Sequence, residues 1–596
     1  MLLQRLVEYS QRVSLPPCLY EPKEVRWLIR LSADGKPLGM VPTSGEDEER
    51  GIRHPVPSAK RTSGVRAFLF CDKGSYVLGI AEQNADPQLA QKQHQAFKEL
   101  VARCHETLGL PETHAVNEFY QRYFGQLQVP PDCKPSDIIV FAVGERWVTD
   151  LPEVQRFWAD YAAEVLNLAE RRMQCLVCGQ VRPVVRRHQV VIKIPSIGQS
   201  SGMALVSANA DAFRSYGLKE SFVAPICLEC SERSHNALNE LIRNPDTSLR
   251  VGKLVYCFWT RQPTQFSVVR LLDDPDPNEV KQLLQSVVQG GAPSQPQAHD
   301  FYAVALSANN ARVVVRSYLE TTLPAVQSNL AQWFRWQQLH ASDTPVGVFS
   351  LVKALYPKSK RDKSPDKTQR NLHRDAVTSQ SEPEEERSFD WQKVPPHVPE
   401  TLIRCAITGA PLPMSLLQLA IQRNRAEQGV TDNRARLIQA VLYSHNYIQE
   451  VNESMQYPTE TQNHPAYKCG RLLAVIERIQ SAAIGNPNAT LTDRYYGSAS
   501  TAPASVFGVL LRLTQPHLSK LRKQREGLAI ALERALQDAM PDHFPTTLSQ
   551  TEQGLFALGY YHQRREFFTP RNTAANLTAD EQPTLMPEEV DNDAND

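Results

Sequence analysis

Residues 466–484 run Ala-Tyr-Lys-Cys-Gly-Arg-Leu-Leu-Ala-Val-Ile-Glu-Arg-Ile-Gln-Ser-Ala-Ala-Ile. Apolar side chains return every three or four positions (Cys469, Leu472, Leu473, Ile476, Ile479, Ala483), which is the period of one helix face. Moving outward, Thr401 to Ile407, Met414 to Gln428, Asn433 to His445, Ala504 to Arg525 and Gly527 to Ala539 repeat that period, with Pro or Gly breaks between them. Residues 396–570 are therefore predicted to form an all-α bundle.

Upstream of about residue 355 the pattern is mixed. Short β-branched or aromatic runs predict strands at Trp27 to Leu31, Phe68 to Cys71, Tyr76 to Ile80, Asp137 to Val143, Val184 to Ile194, Leu254 to Trp259, Phe301 to Leu306 and Arg312 to Tyr318. Helical stretches such as Pro87 to Thr107 and Pro152 to Arg172 lie between them. The expected fold class is α+β: a mixed α/β N-terminal domain (1–355), then the bundle (396–570).

The 596 residues amount to roughly four domain equivalents. With 41% hydrophobic and 22% charged residues, a wholly disordered or collagen-like chain is excluded. No apolar run reaches the ~18 residues that would span a bilayer as a helix. Met1 to Tyr9 carries charges among its leucines, which predicts an amphipathic first helix with Leu2, Leu3, Leu6 and Val7 on one face, not a secretory signal. A cytoplasmic protein without membrane partners is expected.

Lys+Arg and Asp+Glu both number 65, so bulk positive charge cannot drive nucleic-acid binding. Local excess remains possible on chemical grounds. From Ala466 to Pro570 there are twelve Lys+Arg against eight Asp+Glu. Residues 356–395 read as a charged flexible linker, with seven basic residues between Lys358 and Arg374. Residues 571–596, with seven acids and one Arg, read as an acidic disordered tail.

The sequence has no G-x-x-x-x-G-K-[ST], no G-x-G-x-x-G after a strand, no H-E-x-x-H and no G-x-S-x-G elbow. His299-Asp300 is a single His-Asp dipeptide in an expected loop, and it is the basis of the alternative reading, a metal-dependent nuclease. A purely structural scaffold is the third.

Eleven cysteines are too few for a disulfide framework. Seven are scattered. The other four form two C-x-x-C knuckles, Cys175-Leu-Val-Cys178 and Cys227-Leu-Glu-Cys230, inside a region spanning 173–235. Tight spacers of this kind direct two sulfurs each at one ion, so structural Zn²⁺ on Cys175, Cys178, Cys227 and Cys230 is predicted. Ordinary buried cysteines and a redox pair are the competing readings.

Several polar stretches remain: Lys60-Arg-Thr-Ser-Gly64, Gln199-Ser-Ser-Gly202 followed by Leu205 to Phe213, Asp493-Arg-Tyr-Tyr-Gly-Ser-Ala-Ser500, and Gln553 to Gln563. Together with Tyr76-Val-Leu-Gly79, Phe301-Tyr-Ala-Val-Ala-Leu-Ser307, Thr408-Gly-Ala-Pro411 and Gly470-Arg-Leu-Leu-Ala-Val-Ile-Glu477, and taken in chain order, they resemble the large subunit of the type I-C CRISPR Cascade complex.

The resemblance implies a subunit without catalytic chemistry. A guide crRNA reads the target by base pairing, while the large subunit sits at its 5′ end beside backbone and 5′-end subunits. There it recognises the protospacer-adjacent motif in double-stranded DNA, promotes duplex opening and the R-loop, holds the displaced strand, and recruits a separate helicase–nuclease. DNA contacts are expected from Lys60, Arg61, Thr62, Ser63, Gln199, Ser200, Ser201 and Asn209, and along the bundle from Arg471, Arg494, Lys520, Arg522 and Lys523. The family also implies a small helical subunit translated from an internal start, for which Met455 is the candidate, with residues from about 455 onward small-subunit-like. The usual family pattern has Thr where Cys178 stands and lacks the second knuckle, so zinc is expected from spacing alone.

Overall fold

A computed structural model describes residues 2–44, 51–59, 64–81, 87–165, 171–288, 300–340, 343–357, 389–448, 459–485 and 490–568. It is α+β, with its sheets in the N-terminal part and helices dominating the C-terminal part. The chain divides into two compact units. The first comprises Met1–Gln332, Pro345–Phe349 and Lys358–Gly409, the second Trp333–Thr344, Ser350–Pro357 and Ala410–Asp596.

Two larger sheets and two small two-stranded ones, Tyr20–Val25 with Ile52–Pro57 and Arg171–Gln174 with Val181–Val184, lie in the first unit among the described residues. In one of the larger sheets, Pro37–Pro42, Trp27–Leu31, Ile138–Val143 and Cys71–Lys73 lie side by side, and Trp27–Leu31 runs parallel to Ile138–Val143. Successive side chains of a strand face opposite sides. Ile139 and Phe141 accordingly join a core with Phe97, Val101 and Trp158 of the helices Pro87–Leu108 and Pro152–Val165, while Val140 joins Val25, Val56 and Cys71 on the other face. The other larger sheet is an antiparallel meander of Ser248–Val251, Leu254–Thr260, Asp300–Asn309 and Arg312–Thr322. Its residues Val255, Cys257 and Trp259 pack with Leu238 and Leu241 of helix Leu228–Arg243 and with Leu6 of the first helix. That first helix, Leu2–Ser10, forms with Leu2, Leu3, Leu6 and Val7 turned to apolar partners, as its sequence predicts.

Four predicted elements differ. Tyr76–Ile80 is not a strand: Gly74–Val77 makes a helical turn, and Gly79 then takes φ +72. Asp72 explains part of this, because its carboxylate accepts the Phe68 and Lys73 N–H groups (both 2.8 Å) and closes a turn. Phe68–Cys71 is interrupted by Phe70 at φ 54, so pairing begins only at Cys71. Pairing in Val184–Ile194 ends at Val184, with only isolated bridges at Ile192 and Ile194. The stretch Pro152–Arg172 is helical to Val165, but Arg171–Gln174 is a strand paired with Val181–Val184.

In the second unit, helices Met414–Glu427, Asp432–Ser444, Pro465–Ile484, Leu491–Ala499, Pro503–Gln524, Glu526–Asp538 and Gln550–Phe568 follow in order. Pro465–Ile484 and Gln550–Phe568 approach backbone to backbone. A Cβ on Gly470 would stand 1.9 Å from the Phe556 carbonyl oxygen, and one on Gly559 would stand 2.1 Å from that of Tyr467. Glycine at both places is what permits the approach. Across the seam Tyr560 Oη donates to Glu477 (2.6 Å), and Tyr467 Oη lies 3.1 Å from His562 Nδ1.

Candidate metal centre and nucleic-acid interface

The first cysteine knuckle is the turn of a small hairpin. Arg171–Gln174 pairs antiparallel with Val181–Val184, and the chain reverses between them through Cys175 to Gln180. Cys175 N–H donates to the Gln180 carbonyl and Gly179 N–H to the Cys175 carbonyl (both 2.9 Å), with Gly179 at φ +72. A side chain there would be strained, which accounts for the glycine directly after the C-x-x-C.

The second knuckle opens a helix. Cys227 is the residue before Leu228–Arg243, and Cys230 lies in its first turn. A bridge between Val184 and Cys227, and the Leu176 N–H bonded to the Pro225 carbonyl at 2.9 Å, bring the two knuckles together. Arg182 and Glu229 form an ion pair across them at 2.9 Å.

The four Sγ atoms all lie within 4.8 Å of one another. Tetrahedral zinc with Zn–S near 2.3 Å requires sulfurs about 3.8 Å apart, and Cys178 Sγ is 4.0 Å from Cys227 Sγ. The cysteines are free thiols. Backbone N–H groups of Val177 and Cys227 already point at Cys175 Sγ, each at 3.4 Å, the arrangement that supports a sulfur carrying negative charge. The Cys227 thiol is pushed down to about 5, first by the hydrogen bond from the Cys230 thiol and then by the Cys230 N–H, while the Cys230 thiol is raised by the same bond. Metal binding needs thiolates, and the hydrogen bonds from Cys230 favour one at Cys227. Cys175, Cys227 and Cys230 are buried beneath Ile226, Leu3 and Val7, and Cys178 is exposed. The group is close enough, and chemically suited, to hold one metal ion. The hairpin gave no signal in the sequence beyond the cysteines themselves, and the apolar face of the first helix was legible without its place over the cysteines.

Among the other expected site residues, Lys60, Arg61, Thr62 and Ser63 lie outside the described residues, as do His299 and Met455. Gln199, Ser200 and Ser201 form an exposed turn that is pinned at once by buried Gly202 and Met203: Gly202 N–H donates to the Gln199 carbonyl (2.9 Å), and Met203 exchanges both backbone hydrogen bonds with Ile192 (2.8 Å). Asn209 is exposed and its amide oxygen accepts from Arg312, whose guanidinium also lies 4.6 Å from the Phe213 ring centre. The segment carrying these residues is tied to the hairpin end at Arg312 through Ala204.

In the helical unit the basic residues separate into two kinds. Arg471 is engaged inside the seam, donating to Gln563 (2.7 Å) and pairing with Glu566 (3.7 Å). Arg494, Lys520, Arg522 and Lys523 are exposed, Arg522 pairing with Glu533 at 2.6 Å. Lys520 and Lys523 share one side of helix Pro503–Gln524 with exposed Arg512, a position not singled out in the sequence. Asp300 begins a strand and pairs with Arg261 at 3.1 Å.

No curated protein matches the chain. The model of the family described as CRISPR-associated protein (Cas_Csd1) matches residues 4–568. That span takes in the sheets, the cysteine centre and the helical unit alike, and the chain accordingly belongs to the CRISPR-associated Csd1 family, the large subunit of the type I-C Cascade complex.

Proposed function

We propose that this subunit recognises the protospacer-adjacent motif in double-stranded DNA, promotes opening of the duplex beside the guide, holds the displaced strand, and leaves cleavage to a recruited helicase–nuclease. In this reading the chain works without catalysis of its own, in the cytoplasm. The α/β part (1–355) faces the motif and the crRNA 5′ end, and the helical part (396–570) carries the displaced strand past linker 356–395.

The observation that carries the reading is the family match over 4–568. The Gln199–Ser201 turn supports it: hydroxyl and amide groups stand in solvent on a backbone fixed by buried neighbours, as base-edge readers require. Lys60 and Arg61 would hold phosphates, and Lys520, Lys523 and Arg494 would follow a single strand electrostatically. Structural zinc on the four cysteines would staple the ends of the segment that bears the turn.

The test is target binding by the assembled, guide-loaded complex. A Gln199→Ala, Ser200→Ala, Ser201→Ala variant should bind a motif-bearing duplex roughly 10- to 100-fold more weakly, since leaving a single base edge unread removes about 1–3 kcal/mol. Its binding to single-stranded target should stay unchanged. Equal duplex affinity for variant and wild type would remove the turn from motif reading. DNA cleavage by the isolated chain with Mg²⁺ or Mn²⁺, abolished in His299→Ala, would replace the binding role with a nuclease one.

A further inference from the structure

A cavity of about 930 Å³ opens between the Ser10–Cys18 loop, helix Pro152–Val165 and the first half of helix Leu228–Arg243. One wall is apolar and proline-rich, with Val13, Leu15, Pro16, Pro17 and Ala163. The other is charged. Of its three arginines, Arg182 and Arg233 both pair with Glu229 (2.9 and 3.3 Å), and Arg156 pairs with Glu153 (3.7 Å). Two acids are left over: Asp160 and Glu232 enter no ion pair among the described residues.

Glu232 is the odd group. It is 3% exposed. Its Oε2 accepts one long bond, from the Leu19 N–H at 3.3 Å, and its Oε1 has no hydrogen-bond partner. A buried carboxyl so poorly satisfied works against folding, and Gln of the same shape would cost less. Its chemistry instead suits an arriving cation. A metal ion of the hard type wants six or more oxygens, whereas two carboxylates beside a wall of prolines and alanines suit a cation borne on an aliphatic stem. The volume far exceeds a single ammonium group and leaves room for flanking residues of a polypeptide.

We infer that this cavity receives a lysine or arginine side chain of a partner subunit of the surveillance complex, with Glu232 and Asp160 taking the charge and the Val13–Pro17 wall taking the stem. The inference rests on membership in a multi-subunit complex and is independent of how the DNA motif is read. A free polyamine shares the chemistry, and the experiment separates it.

Four measurements on the full chain and the reassembled complex decide the matter. Glu232→Gln alone should leave the thermal midpoint of the isolated chain unchanged or higher. The pair Glu232→Gln, Asp160→Asn should weaken association with the partner subunits at least tenfold, and make that association less sensitive to salt. A photo-crosslinking residue replacing Asn236, which lines the cavity, should capture a partner peptide containing Lys or Arg. Wild-type association of the double variant would overturn the inference, and so would a loss of chain stability as large as the loss of association, which would make Glu232 structural. Crosslinks confined to nucleic acid or to this chain would also overturn it. Stabilisation by spermidine that Glu232→Gln abolishes, without a partner crosslink, would assign the cavity to a free polyamine.

Discussion

Replacing Gly470 with alanine sets two known effects against each other, and the structure says which wins. In an open helix position the exchange stabilises by about 1 kcal/mol, because Gly is the poorer helix former. At Gly470 the added Cβ would lie 1.9 Å from the Phe556 carbonyl oxygen and 2.8 Å from the Tyr560 nitrogen. Ordinary carbon–oxygen contact begins above about 3.2 Å, so the helices Pro465–Ile484 and Gln550–Phe568 must part by more than 1 Å. Neither obstacle is a side chain that can swing away. Parting by that much forfeits a quarter to a half of each dispersion contact along the seam, where Leu473, Ile476, Phe556 and Tyr560 are buried. Overpacking of this kind costs about 1–3 kcal/mol or more, so a net loss of about 2 kcal/mol is expected for Gly470→Ala. Gly508→Ala is the control: it lies in helix Pro503–Gln524 with nothing within 4 Å of the added carbon, and should gain about 0.5–1 kcal/mol. Urea unfolding gives the global effect, and hydrogen exchange of peptides from the two helices gives the local opening free energy. If Gly470→Ala matched or exceeded the wild type while Gly508→Ala gained as expected, the close approach of the two helices would be wrong.

Metal analysis of reduced, purified protein should find about one zinc per chain; Cys178→Ser and Cys227→Ser should each abolish it and lower the thermal midpoint, since the site closes the region between the knuckles. Undetectable zinc in the wild type would reject the centre. Stability should fall in mild acid through His188 and His235, which stack at 4.6 Å. Burial pushes them down to about 3 and about 4, with the neighbouring His235 lowering His188 further. In the unfolded chain both titrate near 6.5, so only the unfolded state gains protons below that pH. Their contribution is complete above pH 6.5 and is lost as pH falls toward 4, by about 2 kcal/mol for the pair between pH 6.5 and 5.5; urea midpoints that do not move across this interval would contradict their neutral burial. Lys520→Glu with Lys523→Glu should loosen the displaced strand in the complex and reduce the slope of log affinity against log salt by roughly 0.7 for each phosphate no longer neutralised, with an unchanged slope removing this helix from the strand's path.

Legibility in the sequence followed the strength of the local period. Trp27–Leu31, Leu254–Thr260 and the helices with three-and-four spacing form where the pattern places them, because burial rewards the same residues that the pattern marks. The helices Leu491–Ala499 and Gln550–Phe568 were not expected as elements. Their capping signals were present: Thr490 and Asp493 satisfy each other's backbone N–H groups, and Glu552 accepts from the Ser549 N–H at 2.7 Å. What hid them was composition. Arg494-Tyr-Tyr-Gly and Gly559-Tyr-Tyr-His-Gln-Arg-Arg look like surface contacts, yet Tyr496, Tyr560 and Gln563 are buried, and Gly559 serves a helix crossing. The cysteine cluster was readable from its spacing alone. The cavity beside it was not, since the Ser10–Cys18 loop, Asp160 and Glu232 meet only through tertiary packing.

Gly554 gives the last helix a flat side on which Leu417, Leu442 and Ile438 rest, their methyl carbons 3.2–3.4 Å from where a Cβ would be. Those three residues belong to helices Met414–Glu427 and Asp432–Ser444. Were translation to restart at Met455, the short product would keep the last helix and lose both elements that shelter this side. Residues folded as interior in the long chain would become a wettable apolar stripe in the short one. The same stretch of polypeptide would then carry a face that is silent in one context and adhesive in the other.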